Sequence, residues 1–227
     1  MTSRPVRGLA VCIAFVAILS AFPPIVERLL PPTGLTRSVF TQVGFRGVPV
    51  DASTFDIDLG FLDRDPTLPR QNFSARWRGF FYVSDPQTIE FFAGGNDEVE
   101  LRVDGEVLVT RNLTEGMRTI GRRVSLDAGA HEIAVDYQQF GGGMALNIQR
   151  ALEEQPPAPF SPAELFGKRV DSWQVLLLRT ARWIRGITPY LWLGFAVLFI
   201  GSVTAMNFST WRKTKAPKSV REYVARL

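Results

Sequence analysis

Apolar and charged residues alternate from residue 96 to residue 105, and this pattern is the clearest structural signal in the chain. The period-two set consists of Val99, Leu101 and Val103 alternating with Glu98, Glu100 and Arg102. Such alternation is typical of a half-buried strand. Asp104-Gly105 follows, and an Asp-Gly pair favours a two-residue hairpin turn because both residues take positive φ readily. The pattern predicts a hairpin whose return strand covers residues 107–109.

Similar segments recur between residues 34 and 150. Strands are predicted at 38–40, 55–59, 73–83, 88–93, 118–126, 131–140 and 144–150. Turn residues separate them at the spacing typical of sandwiches and barrels, and no helical period appears in this region. The expected fold class is therefore an all-β sandwich ectodomain, flanked by apolar segments at both ends of the chain.

The N-terminal apolar segment has two interpretations. Residues 8–22 carry no charge and follow Arg4 and Arg7, as in a signal peptide. Cleavage after Ala21 would place Leu19 at position −3, where a small residue is preferred. We therefore favour an uncleaved transmembrane anchor at 8–26, behind a cytoplasmic tail at 1–7, since a span needs about 17 to 25 residues.

The C-terminal apolar segment, residues 187–208, contains no charged residue. Tyr190 and Trp192 at its start resemble the aromatic belt of a membrane interface, and the tail at 209–227 is basic. Basic flanks mark the cytoplasmic side of a span. We expect two spans in a bacterial inner membrane, with both termini cytoplasmic, the β-domain periplasmic or extracellular, and the lipid bilayer as a partner.

Two further segments connect the β-domain to the second span. Residues 151–165 are rich in proline and predict a stiff linker. Residues 168–186 predict an amphipathic juxtamembrane helix that lies in the headgroup plane or docks on a partner or on the β-domain. Its apolar side contains Trp173, Leu176, Leu177, Ala181 and Ile184, and its basic side contains Arg179, Arg182 and Arg185.

The distribution of charge separates the middle of the chain from its ends. Residues 31–166 carry 12 basic and 19 acidic side chains, whereas the remaining ends carry 14 basic and 3 acidic ones. An acidic folded domain argues against nucleic-acid binding, which requires a basic patch on the domain itself. The single cysteine, Cys12, excludes an intramolecular disulfide.

Three blocks of sequence resemble the protective-antigen-type (PA-14) lectin domain. They are FSARWRG, GGNDEVELRVDGEVLV and AGAHEIAVDYQQFGGGMALNIQ, and the resemblance covers about residues 34–150 of a β-sandwich domain predicted at 31–150. It implies a β-sandwich in which a consecutive Asp-Asp pair, joined by a cis peptide, binds calcium that holds sugar hydroxyls. The pair corresponds to Asn96 and Asp97. A second loop of ligands corresponds to residues 138–143, with Gln138, Gln139, Phe140, Gly141 and Gly142 as candidates.

The sequence departs from that family pattern at the candidate calcium site. Asn96 stands where the family has its first Asp, and Glu98 stands where it has Gly. Calcium takes six to eight oxygen ligands, and its affinity depends on their charge. The pair is thus either a calcium site with one carboxylate fewer or a polar strand entry with local backbone bonds. Trp77 and Tyr137 are expected in the core.

We expect a membrane-tethered, non-catalytic carbohydrate-binding module that recognises a glycan or cell-envelope polysaccharide, with calcium as the candidate cofactor. No Gly-x-Ser-x-Gly motif is present and nothing places two carboxylates opposite each other, so the chain is not expected to be an enzyme. His131 stands alone, without the further ligands of a zinc site. The alternative is an accessory subunit of a membrane-protein complex, such as a lipid-linked glycosyltransferase, that binds no sugar itself.

Overall fold

The computed structural model describes residues 4–111, 119–153 and 155–214. The chain divides into two compact units. The two-sheet unit is Glu27–Leu178, and the helical unit combines Met1–Val26 with Arg179–Leu227. Each unit is described by itself below.

Among its described residues, the two-sheet unit contains ten strands and one short helix, besides the ends of two long helices described below. The strands are β1 (Leu35–Phe40), β2 (Val50–Thr54), β3 (Phe73–Val83), β4 (Gln87–Gly95), β5 (Glu98–Val103), β6 (Glu106–Arg111), β7 (Ile120–Leu126), β8 (Gly129–Gln139), β9 (Leu146–Leu152) and β10 (Leu165–Phe166). The larger sheet has the order β2-β1-β3-β8-β5-β6, with β10 also paired to β3, and the smaller sheet has the order β7-β4-β9. The pairings among these described strands are antiparallel.

The core lies between the inward faces of the two sheets. Trp77 and Tyr137 from the larger sheet are fully buried there, as predicted. Phe91 from the smaller sheet is also fully buried and contacts Phe81 of β3 edge to face. One apolar cluster therefore joins both sheets. Its residues come from alternating positions because successive side chains of a strand point to opposite faces.

The predicted hairpin at residues 96–105 is confirmed. Val99, Leu101 and Val103 are buried, and the turn residues Asp104 and Gly105 have φ values of 49° and 80°. The Asp104 carboxylate accepts a hydrogen bond from the backbone N–H of Glu132 at 2.8 Å and lies 2.7 Å from the Nδ1 of His131. His131 therefore fastens this turn to β8.

The strand predicted at residues 55–59 is wrong. β2 ends at Thr54, whose Oγ1 accepts a hydrogen bond from the N–H of Asp56 at 3.3 Å. Asp58 accepts one from the N–H of Gly60 at 2.9 Å. Such local side-chain bonds compete with strand pairing, and the chain enters the short helix α2 (Phe61–Arg64) instead. No helical period is visible at these positions because α2 has a single turn.

The stiff linker predicted at residues 151–165 is also wrong. Ala151 is buried at the end of β9, and Phe160 is buried against the rings of Phe81 and Phe91. Leu165 is fully buried in β10. This segment therefore closes the core, and the two-sheet unit extends beyond the predicted boundary at residue 150.

The helical unit is built from parts of two long helices. α1 covers Arg4–Leu29 and α3 covers Ser172–Thr214. By length and composition, Val11–Leu29 and Ser172–Ala205 are apolar enough to cross a membrane. The N-terminal tail predicted at 1–7 is helical from Arg4, and the basic tail predicted at 209–227 is helical to Thr214, with 215–227 outside the described residues.

A separate juxtamembrane helix at 168–186 is not found, because α3 runs without a break from Ser172 through the predicted second span. Its predicted apolar face is correct only in part. Ala181 and Ile184 are buried, but Trp173 and Leu176 are 54% and 65% exposed. Val175 and Leu178 are buried instead.

Gly79 provides a test of the close packing where β10 pairs with β3. A Cβ at this position would lie 2.5 Å from Cδ2 of Leu35 and 2.6 Å from the carbonyl oxygen of Phe166. We expect Gly79→Ala to lower the free energy of unfolding by roughly 1–3 kcal/mol, because overpacking forces neighbouring atoms apart. Chemical denaturation of the full chain measures this. Gly141→Ala, where the Cβ meets open space, is the matched control, and equal stabilities would contradict the packing.

Candidate functional site

Asn96 and Asp97 connect β4 to β5 at one corner of the two-sheet unit. Asp97 is only 5% exposed, and its Oδ2 accepts a hydrogen bond from the N–H of Phe140 at 3.2 Å. The N–H of Asn96 donates to the carbonyl of Ala145 at 3.1 Å. The structure therefore brings this pair together with the loop between β8 and β9, as the sequence predicted.

The Oδ1 atom of Asn96 is buried and has no hydrogen-bond partner. Its amide nitrogen lies 3.0 Å from where a Cβ on Gly143 would stand, so the glycine leaves room for the side chain. A buried carbonyl oxygen without a donor is unfavourable by about 1–3 kcal/mol. Asn96 thus holds a buried acceptor that receives no hydrogen bond from the described residues.

Gln139 shapes the loop that faces Asn96 and Asp97. Its side chain is fully buried, and its Oε1 accepts a hydrogen bond from the hydroxyl group of Tyr137. Its Nε2 donates to the carbonyl oxygens of Gly141 and Gly143 at 3.0 Å and 3.4 Å. Gln139 was predicted to contact a ligand, but its described contacts instead hold the loop in place.

The Tyr137 hydroxyl stays protonated beside this corner. Burial raises the pKa of Tyr137 well above its ordinary value, and the nearby Asp97 carboxylate raises it further. A phenolate would be unfavourable here because it would be both desolvated and close to a negative charge. Tyr137 therefore remains a hydrogen-bond donor to Gln139.

Gln138 lies on the opposite face of β8 from Gln139, away from the Asn96–Asp97 corner. Its Oε1 accepts from the N–H of Gly44 at 2.6 Å, and its Nε2 donates to Oε2 of Glu98 at 2.6 Å. Glu98 therefore points to the outer face of the larger sheet, as its alternation indicated. The predicted set is divided, since Gln138 is on a different surface from Asp97.

Phe45 is a neighbour of Gln138 that the sequence analysis missed. It has a φ of 58°, and its N–H donates to Oγ of Ser74 at 3.1 Å. Its ring lies 4.3 Å from the guanidinium carbon of Arg76. Phe45, Glu98 and Gln138 line one side of a cavity of about 180 Å³ on the outer face. The only sequence signals for this loop were Gly44 and Gly47, which flank it.

A charge network lies under the same outer face. Asp136, with a side chain 10% exposed, pairs with Arg76 and Arg78 at 2.9 Å and with Arg102 at 3.3 Å. Burial alone would raise the pKa of Asp136, but hydrogen bonds from Arg76 and Arg78 lower it below its ordinary value of 3.8. The carboxylate therefore stays ionised and holds three strands together.

The Asn96–Asp97 corner lies at the end of the two-sheet unit opposite to both chain connections. Gly34 donates its N–H to the carbonyl of Leu165 at 2.7 Å, and Leu165 pairs with Phe81 near one end of β3. Ser74, at the other end of β3, pairs with Gln138 at the level of Glu98. Phe81 and Ser74 are seven residues apart along β3, which corresponds to about 23 Å at 3.3 Å per residue.

The residues present suit an oxygen-liganded cation only in part. Asp97 offers a carboxylate and Asn96 an unsatisfied amide oxygen. Within the described ranges no group of three or more His, Cys, Asp or Glu side chains is placed to hold a metal. Further oxygens would have to come from backbone carbonyls, water or the ligand itself. The described residues contain no cis peptide bond, so the link between Asn96 and Asp97 is trans.

Solved structures share the fold of the two-sheet unit. An anti-sigma factor domain-containing protein matches with a TM-score of 0.54 and 20% identity over 62% of this chain, which spans about half (49%) of that protein. The PA14 domain of the antifreeze protein MpAFP matches with a TM-score of 0.51 and 13% identity, over 60% of this chain and 92% of that domain. A PA14 sugar-binding domain from an RTX adhesin has a TM-score of 0.47 and 16% identity, over 60% of this chain and 98% of that one. No family model and no curated protein matches the sequence.

The Asp136 network predicts a specific pH dependence of stability. A carboxyl whose pKa is lower in the folded than in the unfolded chain adds stability above the unfolded value, and this is lost as the pH falls through the folded value. The stability that the Asp136 carboxylate contributes is therefore lost as the pH falls below about 3.8. We expect Asp136→Asn to cost on the order of 2 kcal/mol at neutral pH, less than a fully buried pair because the arginines are partly exposed.

Urea denaturation of the full chain between pH 7 and pH 2 measures this dependence. The Asp136→Asn variant should lose less stability on acidification than the parent chain. Asp51→Asn, on the exposed edge of β2, should follow the parent chain. Parallel curves for the parent and Asp136→Asn would contradict the assignment.

Proposed function

We propose that the chain is a membrane-tethered, non-catalytic carbohydrate-binding protein with a β-sandwich of the PA-14 type. Its site is formed by Asn96, Asp97 and the loop at residues 140–143. The observation that carries the proposal is the buried, unpartnered Oδ1 of Asn96 beside the almost fully buried carboxylate of Asp97. Both acceptors belong to the corner farthest from the chain connections.

The chemistry of the corner suits a polyhydroxylated ligand. Sugar hydroxyls donate hydrogen bonds, and Asn96 and Asp97 present acceptors that are already desolvated. Gly141 and Gly142 leave the loop backbone open, since a Cβ at either position would meet no atom within 4 Å. A ring lying on this loop would therefore approach the backbone closely.

Calcium is the proposed cofactor, and Asn96 and Asp97 would hold it. When bound, the ion would hold sugar hydroxyl oxygens as direct ligands. The Phe140 N–H keeps one oxygen of Asp97 in position. The neutral Asn96 lowers the charge of the site and therefore its affinity for the ion.

Tethering would offset weak affinity for a single sugar. We propose that the apolar parts of α1 and α3 span a bacterial inner membrane and display the two-sheet unit outside the cytoplasm. Attachment to a surface raises the effective concentration of each site near a repetitive ligand. A cell-envelope polysaccharide is the proposed partner because it presents many copies of one epitope.

Removing the Asp97 carboxylate tests both the ion and the glycan. Calcium that binds the folded state raises the melting temperature of the full chain in detergent relative to chelator. We expect this increase, and retention on a glycan array, for the parent chain and for Asp51→Ala, but neither for Asp97→Ala. An unchanged melting temperature at millimolar calcium, with no glycan retained by the parent chain, would reject the proposal. Recovery of one stoichiometric membrane partner in that case would support an accessory subunit.

Restoring the second carboxylate tests the role of Asn96. We expect Asn96→Asp to bind calcium about tenfold more tightly, since affinity in such sites rises with the number of charged ligands. In chelator the same variant should be less stable than the parent chain, because two adjacent buried carboxylates repel each other. Calorimetric titration of the full chain with calcium measures the first effect and thermal melting the second. Equal calcium affinities would mean that Asn96 is not a ligand.

A further inference from the structure

The outer face of the smaller sheet carries a groove outside the proposed site. Glu90, Arg123 and Ala151 lie side by side on its three strands, in register and on this face. Ala151 is only 8% exposed and lies at the bottom of the groove. After β9 the chain turns, since the N–H of Gln155 donates to the carbonyl of Leu152 at 2.9 Å, and this turn forms a second wall. The groove has a volume of about 620 Å³, a size typical of ligand sites.

The polar side chains in the groove hold one another in place. Nε of Arg123 donates to Oε2 of Glu90 at 3.1 Å, and the hydroxyl oxygens of Thr88 and Ser125 lie 3.1 Å apart. The charges of Arg123 and Glu90 neutralise each other, so this pair attracts neither a polyanion nor a polycation strongly. The Arg123 side chain is 76% exposed, so most of its donors remain accessible to a ligand.

Phe92 adds an aromatic surface next to the groove. It is the next residue after Glu90 on the outward side of β4, and it is half-buried. A Cβ on Gly121 would lie 2.7 Å from Cε1 of Phe92, so the ring rests on the backbone of β7. Gln149 is the register partner of Phe92 on β9. An aromatic ring and an amide therefore lie side by side on this face.

The same face leads from the groove to the Asn96–Asp97 corner. The outward positions of β4 follow one another from Thr88 to Gly94. Gly94 pairs with Asn147, which is exposed, and Asn96 follows Gly94 by two residues. From Thr88 to Gly94 the face extends over about 20 Å, and its three strands are about 10 Å wide.

We infer that this face is an extended subsite for an uncharged, linear polysaccharide that runs from the groove past Phe92 to the Asn96–Asp97 corner. The inference rests on the proposed glycan binding and names the class of glycan. The amides and hydroxyls of the face both donate and accept hydrogen bonds, as sugar hydroxyls do. The ring of Phe92 offers an apolar surface on which the C–H groups of a sugar ring can pack.

The dimensions of the face favour a polymer chain over a folded partner. Its area is roughly 200 Å² from the strand spacing and rise, whereas each partner of a stable protein complex buries about 800 Å². A single extended chain needs only the length of β4. Contacts with successive sugars add to those at the corner, so a long oligosaccharide gains affinity that a short one lacks.

A length series of oligosaccharides tests the subsite. Immobilised glucans, mannans and xylans of two and of six units, with six-unit polygalacturonate beside them, are probed with the full chain in detergent and calcium. We expect the parent chain to bind six-unit neutral chains about tenfold more tightly than two-unit chains. Phe92→Ala and Arg123→Ala should each remove most of this gain and leave two-unit binding unchanged. Tyr82→Ala, which removes a half-buried aromatic residue from the outer face of the larger sheet, should equal the parent chain.

The outcomes separate the subsite from the corner. Arg123→Ala changes an exposed side chain, so it keeps the test valid if Phe92→Ala lowers stability. Binding that is independent of length but requires Asp97, or Phe92→Ala and Arg123→Ala variants equal to the parent chain, would overturn the subsite and leave the proposed function intact. Length-dependent binding that Asp97→Ala does not change would reject the corner and support the subsite. Retention of polygalacturonate alone would overturn the ligand class, and no retention by the parent chain would overturn both proposals.

Discussion

The eleven-residue antiparallel pairing of β3 with β8 is the constraint on which the rest of the two-sheet unit depends. It aligns Trp77 with Val135 and Ala75 with Tyr137. The two largest core side chains, Trp77 and Tyr137, therefore lie on neighbouring strands and point to the same face of the sheet. A slip by one residue would turn every one of these side chains to the outer face. The same register places Asp136 opposite Arg76. The two ends of the unit are separated by the full length of these strands.

The candidate site contains buried polar groups whose hydrogen bonding is incomplete. Asp97 is almost fully buried although it is charged, and Asn96 buries an oxygen without a donor. The surrounding groups are better matched: Gln139 has partners for both ends of its amide, and Tyr137 keeps its proton. Conflicts of this kind between a residue and its surroundings are expected where function, rather than folding, determines the residue.

Much of the fold was predictable because it depends on neighbours in sequence. The hairpin around Asp104 and the long strand β3 both follow from a period of two and from turn residues. The proximity of Asn96 and Asp97 to the loop after β8 followed only from the resemblance to the PA-14 domain, because no local pattern links segments so far apart in sequence. Gln138 was assigned to the wrong surface, although the alternation with Tyr137 and Gln139 already implied that it points outward.

The features that sequence reasoning missed depend on contacts between distant residues. Phe160 lies among prolines that indicate a linker, and its burial against Phe91 depends on the shape of the core. β10 has two residues, too few for any periodicity, and forms because β3 offers it backbone partners. Phe45 contacts Arg76 from the loop that contains Gly44 and Gly47. These two glycines indicate a turn but do not indicate which residue the loop contacts.

The junction where the chain enters and leaves the two-sheet unit has a mechanical consequence. Gly34 bonds to Leu165, and Gly167 bonds back to Pro32 at 3.2 Å, so the entering and leaving segments are joined to each other as well as to β3. A pulling force applied at the Asn96 corner would run along the full length of β3 and β8 and then divide between two covalent attachments. Because both segments are bonded to each other at the same end of β3, such a force would act along the strand axes, perpendicular to the interstrand hydrogen bonds.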